Sequence, residues 1–118
     1  MEALIIVAHG SKMKSSNDEI VTIVEKIKES NENTNLHVFH AFLELSEPSL
    51  FITINNAINK NCKKIKIFPY FLAAGKHVLE DIPCEIKKFK KQYPELEFIL
   101  LPHIGLCNGI ENMIISNS

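Results

Sequence analysis

Two histidines and a glutamate are the residues in this 118-residue chain most suited to chemistry: His9 in IIVAHGSK, Glu44 in AFLELSEP and His77 in AAGKHVLE. Imidazole and carboxylate together form a donor set for a first-row divalent ion such as cobalt, nickel or iron. Three protein ligands leave coordination positions open for a substrate. The same imidazoles could accept protons. Each residue also has a plain structural reading. Gly10 by itself accounts for a turn after His9, and Glu44 and His77 could be solvated loop residues. The choice depends on whether the surrounding elements bring the three to one place.

Strand and helix patterns alternate along the chain. ALIIVA (3–8) is a short, wholly apolar run of the kind buried on both faces of a parallel sheet. SSNDEIVTIVEKIKES then reads as a helix, with Ser15 or Ser16 as cap, Asp18 and Glu19 at its positive end, and Ile20, Ile23, Val24 and Ile27 as its stripe. LHVFHAFL (36–43) is a second strand. The following helix has Pro48 in its first turn and an apolar face of Leu50, Ile54, Ala57 and Ile58, although its ITI run would also suit a strand. A third strand spans about 64–69. Asp81 can cap a third helix bearing Ile82, Ile86, Phe89 and Tyr93, with Pro83 in its first turn. ELEFILLP (95–102) is a fourth strand, and a short last helix from Asn108 carries Ile110, Met113 and Ile114.

The order βαβαβαβα predicts an α/β fold: a doubly wound four-stranded parallel sheet with helices on both faces. In such a sheet sites lie outside the carboxyl ends of the strands. His9 ends the first strand, Glu44 ends the second, and His77 lies in the loop after the third, so all three fall on one edge. His103, past the fourth strand, faces that edge too. His37 and His40 lie within the second strand and read as packing residues, though His40 shares the parity of Glu44 and could support it. Cys107 reads as packing. Lys12, Lys14 and Lys76 flank the edge, as solvated charges or as anchors for an anion.

Bulk properties narrow the partners. The length fits one domain, 1–118. A net charge of -1 gives no basic field for nucleic acid or an anionic membrane. The basic residues are all lysine, which argues against a phosphohistidine enzyme built on His9-Gly10, because phosphoryl transfer leans on guanidinium. The first apolar run is too short to span a membrane and has no basic segment before it. Cys62, Cys84 and Cys107 are odd in number and form no CxxC pair, which points to a reducing, cytoplasmic setting.

MEALIIVAHGSK, AFLELSEPSL and PYFLAAGKHVLEDIP, in that order and spacing, resemble the small class II tetrapyrrole chelatases, the short sirohydrochlorin cobalt and nickel chelatases. The similarity runs from residue 1 to about residue 84, and FLAAGKHVLEDIP is its most specific stretch. After the fourth strand this chain has IGLCNGIEN where relatives carry a Gly-Ala-Asp-type segment. The resemblance implies a chelatase-like, flavodoxin-related fold. It also implies ATP-independent insertion of cobalt(II) or nickel(II) into sirohydrochlorin, in cobalamin or nickel-tetrapyrrole coenzyme biosynthesis. The metal would be a substrate, with no permanently bound cofactor. A single αβ half of this kind is expected to pair as a homodimer, rebuilding a two-lobed cleft.

The family's two histidines carry over onto His9 and His77, and its acidic residue onto Glu44, with Glu47 as competitor at a helix start. The trio would hold the ion over the macrocycle and take the pyrrolic protons. Lys12, Lys76, the helix N-terminus after Ser46 and the Ser11 hydroxyl would bind the carboxylates of the tetrapyrrole. Phe71, Leu72 and Ala73 would form an apolar wall against the ring. A non-catalytic metal or tetrapyrrole carrier using the same groups is the alternative, and turnover separates the two.

Overall fold

The computed structural model describes all 118 residues. Its centre is a four-stranded parallel sheet in the order β2-β1-β3-β4, formed by β1 (Glu2–Ala8), β2 (Leu36–Phe42), β3 (Lys64–Pro69) and β4 (Glu97–Leu100). β1 has a neighbour on each side and a helix layer above and below it, so its run of Ala3, Ile5, Ile6, Val7 and Ala8 is buried throughout. β3 alternates instead. Ile65 and Ile67 are fully buried on one face, and Phe68 turns to the other.

The two faces are unequal. α2 (Leu50–Asn59) and α3 (Ile82–Gln92) cover one of them and enclose the main core with Ala3, Ile5, Val7, Ala41, Ile65, Ile67 and Phe98. Leu50, Ile54 and Ala57 of α2 point inward, as do Ile82, Ile86 and Phe89 of α3, following the 3.6-residue spacing. The ITI run is helical, because Ile54 falls on the buried stripe while Ile52 is exposed. The other face is covered by α1 (Lys14–Ser30) alone, through a small cluster of Val24 with Ile6 and Val38.

Several boundary expectations are corrected. α1 starts at Lys14, ahead of Ser15 and Ser16, and neither serine caps it. No side chain caps α1; instead Ser11 and Asn17 tie the preceding loop to its N-terminal end. The Ser11 N–H donates to Asn17 Oδ1 at 3.0 Å, and Asn17 Nδ2 donates back to the Ser11 carbonyl at 2.8 Å. Pro48 and Glu47 precede α2 instead of opening it, and Ser49 is the cap, its Oγ accepting from the Ile52 N–H at 3.1 Å. Asp81 has helical backbone angles and caps nothing. The last helix, α4 (Ile110–Ser116), is only seven residues long and turns away at Gly109 (φ 93°), so Met113 and Ile114 are exposed and its stripe meets no core.

No helix of the chain is long and apolar enough to cross a membrane.

Candidate metal centre at the carboxyl edge of the sheet

The chain leaves β1 for β2 on one side and β3 for β4 on the other, so the topological switch lies between β1 and β3. Crevices at such switches are the usual ligand sites of open parallel sheets. His9 follows β1 directly. The β1–β2 ladder continues past the strands, with the Leu43 N–H donating to Ala8 O and the Glu44 N–H to His9 O, each at 3.0 Å. Glu44 is thereby clamped beside His9. The loop then closes on itself where the Phe42 N–H donates to Pro48 O at 2.9 Å. Gly10 makes the approach possible, since its φ is +94° and a Cβ there would lie 1.9 Å from the Glu44 carbonyl oxygen.

His77 arrives from the other side of the switch. It opens a single wide helical turn, His77–Asp81, which runs into α3 and is closed by the Ile82 N–H bonding to His77 O. Pro83 supplies a physical reason for the widening. It has no N–H to donate, and in a regular helix its ring would press on the carbonyl of Leu79. The sequence reading placed His77 in a loop; it stands at the head of a helical segment.

These elements bring the trio together. His9 Nε2 lies 2.7 Å from Glu44 Oε1, and His77 Nε2 lies 3.5 Å from the same oxygen. One ligand atom from each residue falls within 4.8 Å of the others, a spacing that could hold one metal ion. The imidazoles meet edge to face with centroids 4.7 Å apart. The three side chains are 46%, 50% and 30% exposed, in the order His9, Glu44, His77, so the centre is open to an incoming ligand. Each outer nitrogen is anchored. His9 Nδ1 donates to the Gly10 carbonyl at 3.0 Å and His77 Nδ1 to Asp81 Oδ2 at 2.7 Å. Both rings therefore present Nε2 to the centre.

A cavity of about 350 Å³ opens beside the trio, with Glu44, His77, Asp81 and Glu85 on its polar side and Leu43, Leu50 and Phe51 on its apolar side. That volume is at the small end for ligand pockets, which run from about 300 to 1,000 Å³.

The remaining predicted residues divide. Lys76 is exposed and sits 3.5 Å from Asp81 Oδ1, and Lys14 pairs with Asp18 at 2.9 Å. Lys12 is exposed at the same edge. Ser11 Oγ accepts from the Met13 N–H at 3.0 Å, which leaves its hydroxyl proton free to donate. Phe71 turns inward against the core with its ring 6.4 Å from His77, while Leu72 and Ala73 are exposed. Glu47 stays outside the cluster. His103 is buried and takes no part in it. His40 is not part of the cluster; burial, and then Lys28, lower its pKa, against an opposing effect of Glu25. Sequence reasoning missed Asp81 as a partner of His77. The signal was the HVLED spacing, which puts the two residues four apart and on one side of a helical turn.

The CbiX family model matches residues 3–117. The chain belongs to the CbiX family. Over 83 residues (70% of this chain, 57% of the relative) it is 41% identical to a sirohydrochlorin cobaltochelatase of Methanococcus aeolicus. Over 115 residues (98% of this chain, 42% of the relative) it is 30% identical to a sirohydrochlorin ferrochelatase of Priestia megaterium. The matched regions span about half the length of these two relatives. The crystal structure of a CbiX protein from Marinobacter aquaeolei VT8 superposes with a TM-score of 0.84 at 28% identity, covering 99% of this chain and 93% of that one. The parallel sheet and its helices are thus those of CbiX structures.

Proposed function

We propose that the chain is a sirohydrochlorin metal chelatase that inserts cobalt(II) or nickel(II) without ATP. The observation that carries this reading is the convergence of His9, Glu44 and His77 on one point at the switch of the sheet. The names of the CbiX relatives, cobaltochelatase and ferrochelatase, agree with the reaction and differ in the metal. Insertion requires a divalent ion to exchange water for pyrrole nitrogens while two N–H protons leave the ring. Two imidazoles and a carboxylate, without thiolate, suit an ion that has to be released. His9 and His77 hold the metal through Nε2. Glu44, within reach of both, offsets charge and accepts one pyrrolic proton, and an imidazole freed as the ion departs accepts the other.

One copy supplies a small cavity with an open side. Leu45, Phe51, Leu72 and Leu79 are exposed on segments bordering it. An apolar rim of this kind supports a homodimer in which a second copy forms the facing wall, with the macrocycle between. Lys12, Lys76 and the Ser11 hydroxyl are the groups proposed to meet its carboxylates, and Leu72 and Ala73 its apolar face, with the inward-turned Phe71 packed behind them. The proposed setting is the cytoplasm, within cobalamin or nickel-tetrapyrrole coenzyme synthesis.

The test is anaerobic incubation with excess sirohydrochlorin and cobalt(II), nickel(II) or iron(II), followed by absorption against enzyme-free controls. Many turnovers per chain with cobalt or nickel are expected. Stoichiometric binding without turnover would make the protein a carrier.

A further inference from the structure

The two imidazoles of the trio are backed unequally. His9 Nδ1 has only a neutral acceptor, the adjacent Gly10 carbonyl at 3.0 Å. His77 Nδ1 has a carboxylate, Asp81 Oδ2 at 2.7 Å, and the other Asp81 oxygen lies 3.5 Å from Lys76 Nζ. Apart from this exposed contact with Lys76, Asp81 has no competing task. Its backbone is already helical, its side chain bonds no N–H of α3, and its one hydrogen bond is to His77. The wide turn ahead of Pro83 carries both residues, four apart in sequence, on the wall of the cavity.

We propose that Asp81 is a positioning residue that fixes His77 in the Nδ1–H tautomer and makes it the stronger imidazole ligand of the centre; this rests on reading His9, Glu44 and His77 as the metal site. An ionised carboxylate can only accept, so the bond at 2.7 Å requires the proton on Nδ1. In the neutral ring, the form that ligates a metal, the lone pair is then on Nε2, the atom that faces Glu44. A charge-assisted bond is roughly twice as strong as one to a neutral carbonyl. A carboxylate behind a ligating imidazole holds its orientation and raises its basicity, and losing such a partner costs about 10–100-fold in metal affinity. The consequence is a division of labour: His77 stays on the metal, and the less strongly held His9 yields first during transfer.

The test combines two measurements on the full chain at fixed pH. Long-range proton–nitrogen NMR of the His77 ring reports the tautomer, and cobalt(II) titration followed by visible absorption reports affinity. The wild type is expected to hold the Nδ1–H form. Asp81→Ala should populate the other tautomer and weaken cobalt binding by about 10–100-fold. Asp81→Asn, which keeps a neutral oxygen acceptor, should retain the tautomer and recover part of the affinity. His77→Ala should weaken binding more than His9→Ala. Wild-type tautomer and affinity in Asp81→Ala, alongside a loss in His77→Ala, would overturn the role of Asp81 alone. Unchanged affinity in His77→Ala would overturn the metal-site reading and this inference with it. Should Asp81→Ala not fold, full wild-type affinity in Asp81→Asn would still refute a role for the carboxylate charge.

Discussion

Gly10→Ala should disassemble the trio without altering any of its three side chains. Gly10 sits at φ +94°, and a methyl there would lie 1.9 Å from the backbone oxygen of Glu44 and 3.1 Å from its carbonyl carbon. Since Cβ atoms essentially never come within 3.0 Å of such atoms, the Glu44 backbone would have to retreat by about 1 Å. That backbone carries the carboxylate now 2.7 Å from His9 and 3.5 Å from His77. The displacement opens the His9 contact beyond hydrogen-bond range. Holding alanine at positive φ costs about 1–3 kcal/mol, and each kcal/mol lowers the Tm of a chain this size by roughly 3–6 °C. A misplacement of about 1 Å is enough to slow a positioned reaction by about 100-fold. Thermal unfolding by circular dichroism and the rate of cobalt insertion measure the two effects separately. Gly75→Ala is the control, because nothing lies within 4 Å of the added carbon and its φ is not in the left-handed region; its stability change should stay within about 0.5 kcal/mol. A Gly10→Ala protein with wild-type Tm and insertion rate would refute the account of how His9 and Glu44 meet.

Three further outcomes are expected. Ser49→Ala removes the cap of α2 and should cost about 1 kcal/mol in urea unfolding, with no change in the slope of the transition. Ile54→Ala, at a position with no solvent exposure between α2 and the sheet, should cost about 2–5 kcal/mol; a loss below 1 kcal/mol would mean that the main core is loosely packed. Burial first, then Lys28, lowers the folded-state pKa of His40 below its ordinary 6.5, so the unfolded chain binds the proton more readily. The stability tied to a neutral His40 is present above pH 6.5 and lost as pH falls below it. His40→Gln should therefore flatten the fall in stability between about pH 7 and 5, and an unchanged slope would contradict that origin.

Much of the fold was legible because its strands and two of its helices follow simple periods. The unbroken apolar run of β1 marked a strand covered on both faces, and the spacing of Leu50, Ile54 and Ala57, like that of Ile82, Ile86 and Phe89, gave the buried stripes of α2 and α3. The trio was legible because His9 and Glu44 lie just past β1 and β2 and His77 in the segment that follows β3, at carboxyl ends that share an edge. What escaped were features set by single side-chain bonds. Neither Ser15 nor Ser16 caps α1, whose preceding loop is held by the Ser11–Asn17 pair, and α2 begins after its cap Ser49, later than the start expected after Ser46 with Pro48 in the first turn. Asp81 read as a cap because aspartate before Ile-Pro is a common helix opening, yet its carboxylate goes to His77. α4 has an apolar stripe like the others, but periodicity cannot report that nothing stands opposite it.

The central claim, that His9 and His77 carry metal insertion, is tested most directly by single-turnover insertion of cobalt(II) into sirohydrochlorin with His9→Ala and His77→Ala. Circular dichroism establishes in parallel that both variants are folded. The account predicts that each rate falls by about 100-fold or more. Wild-type rates in both variants would contradict it.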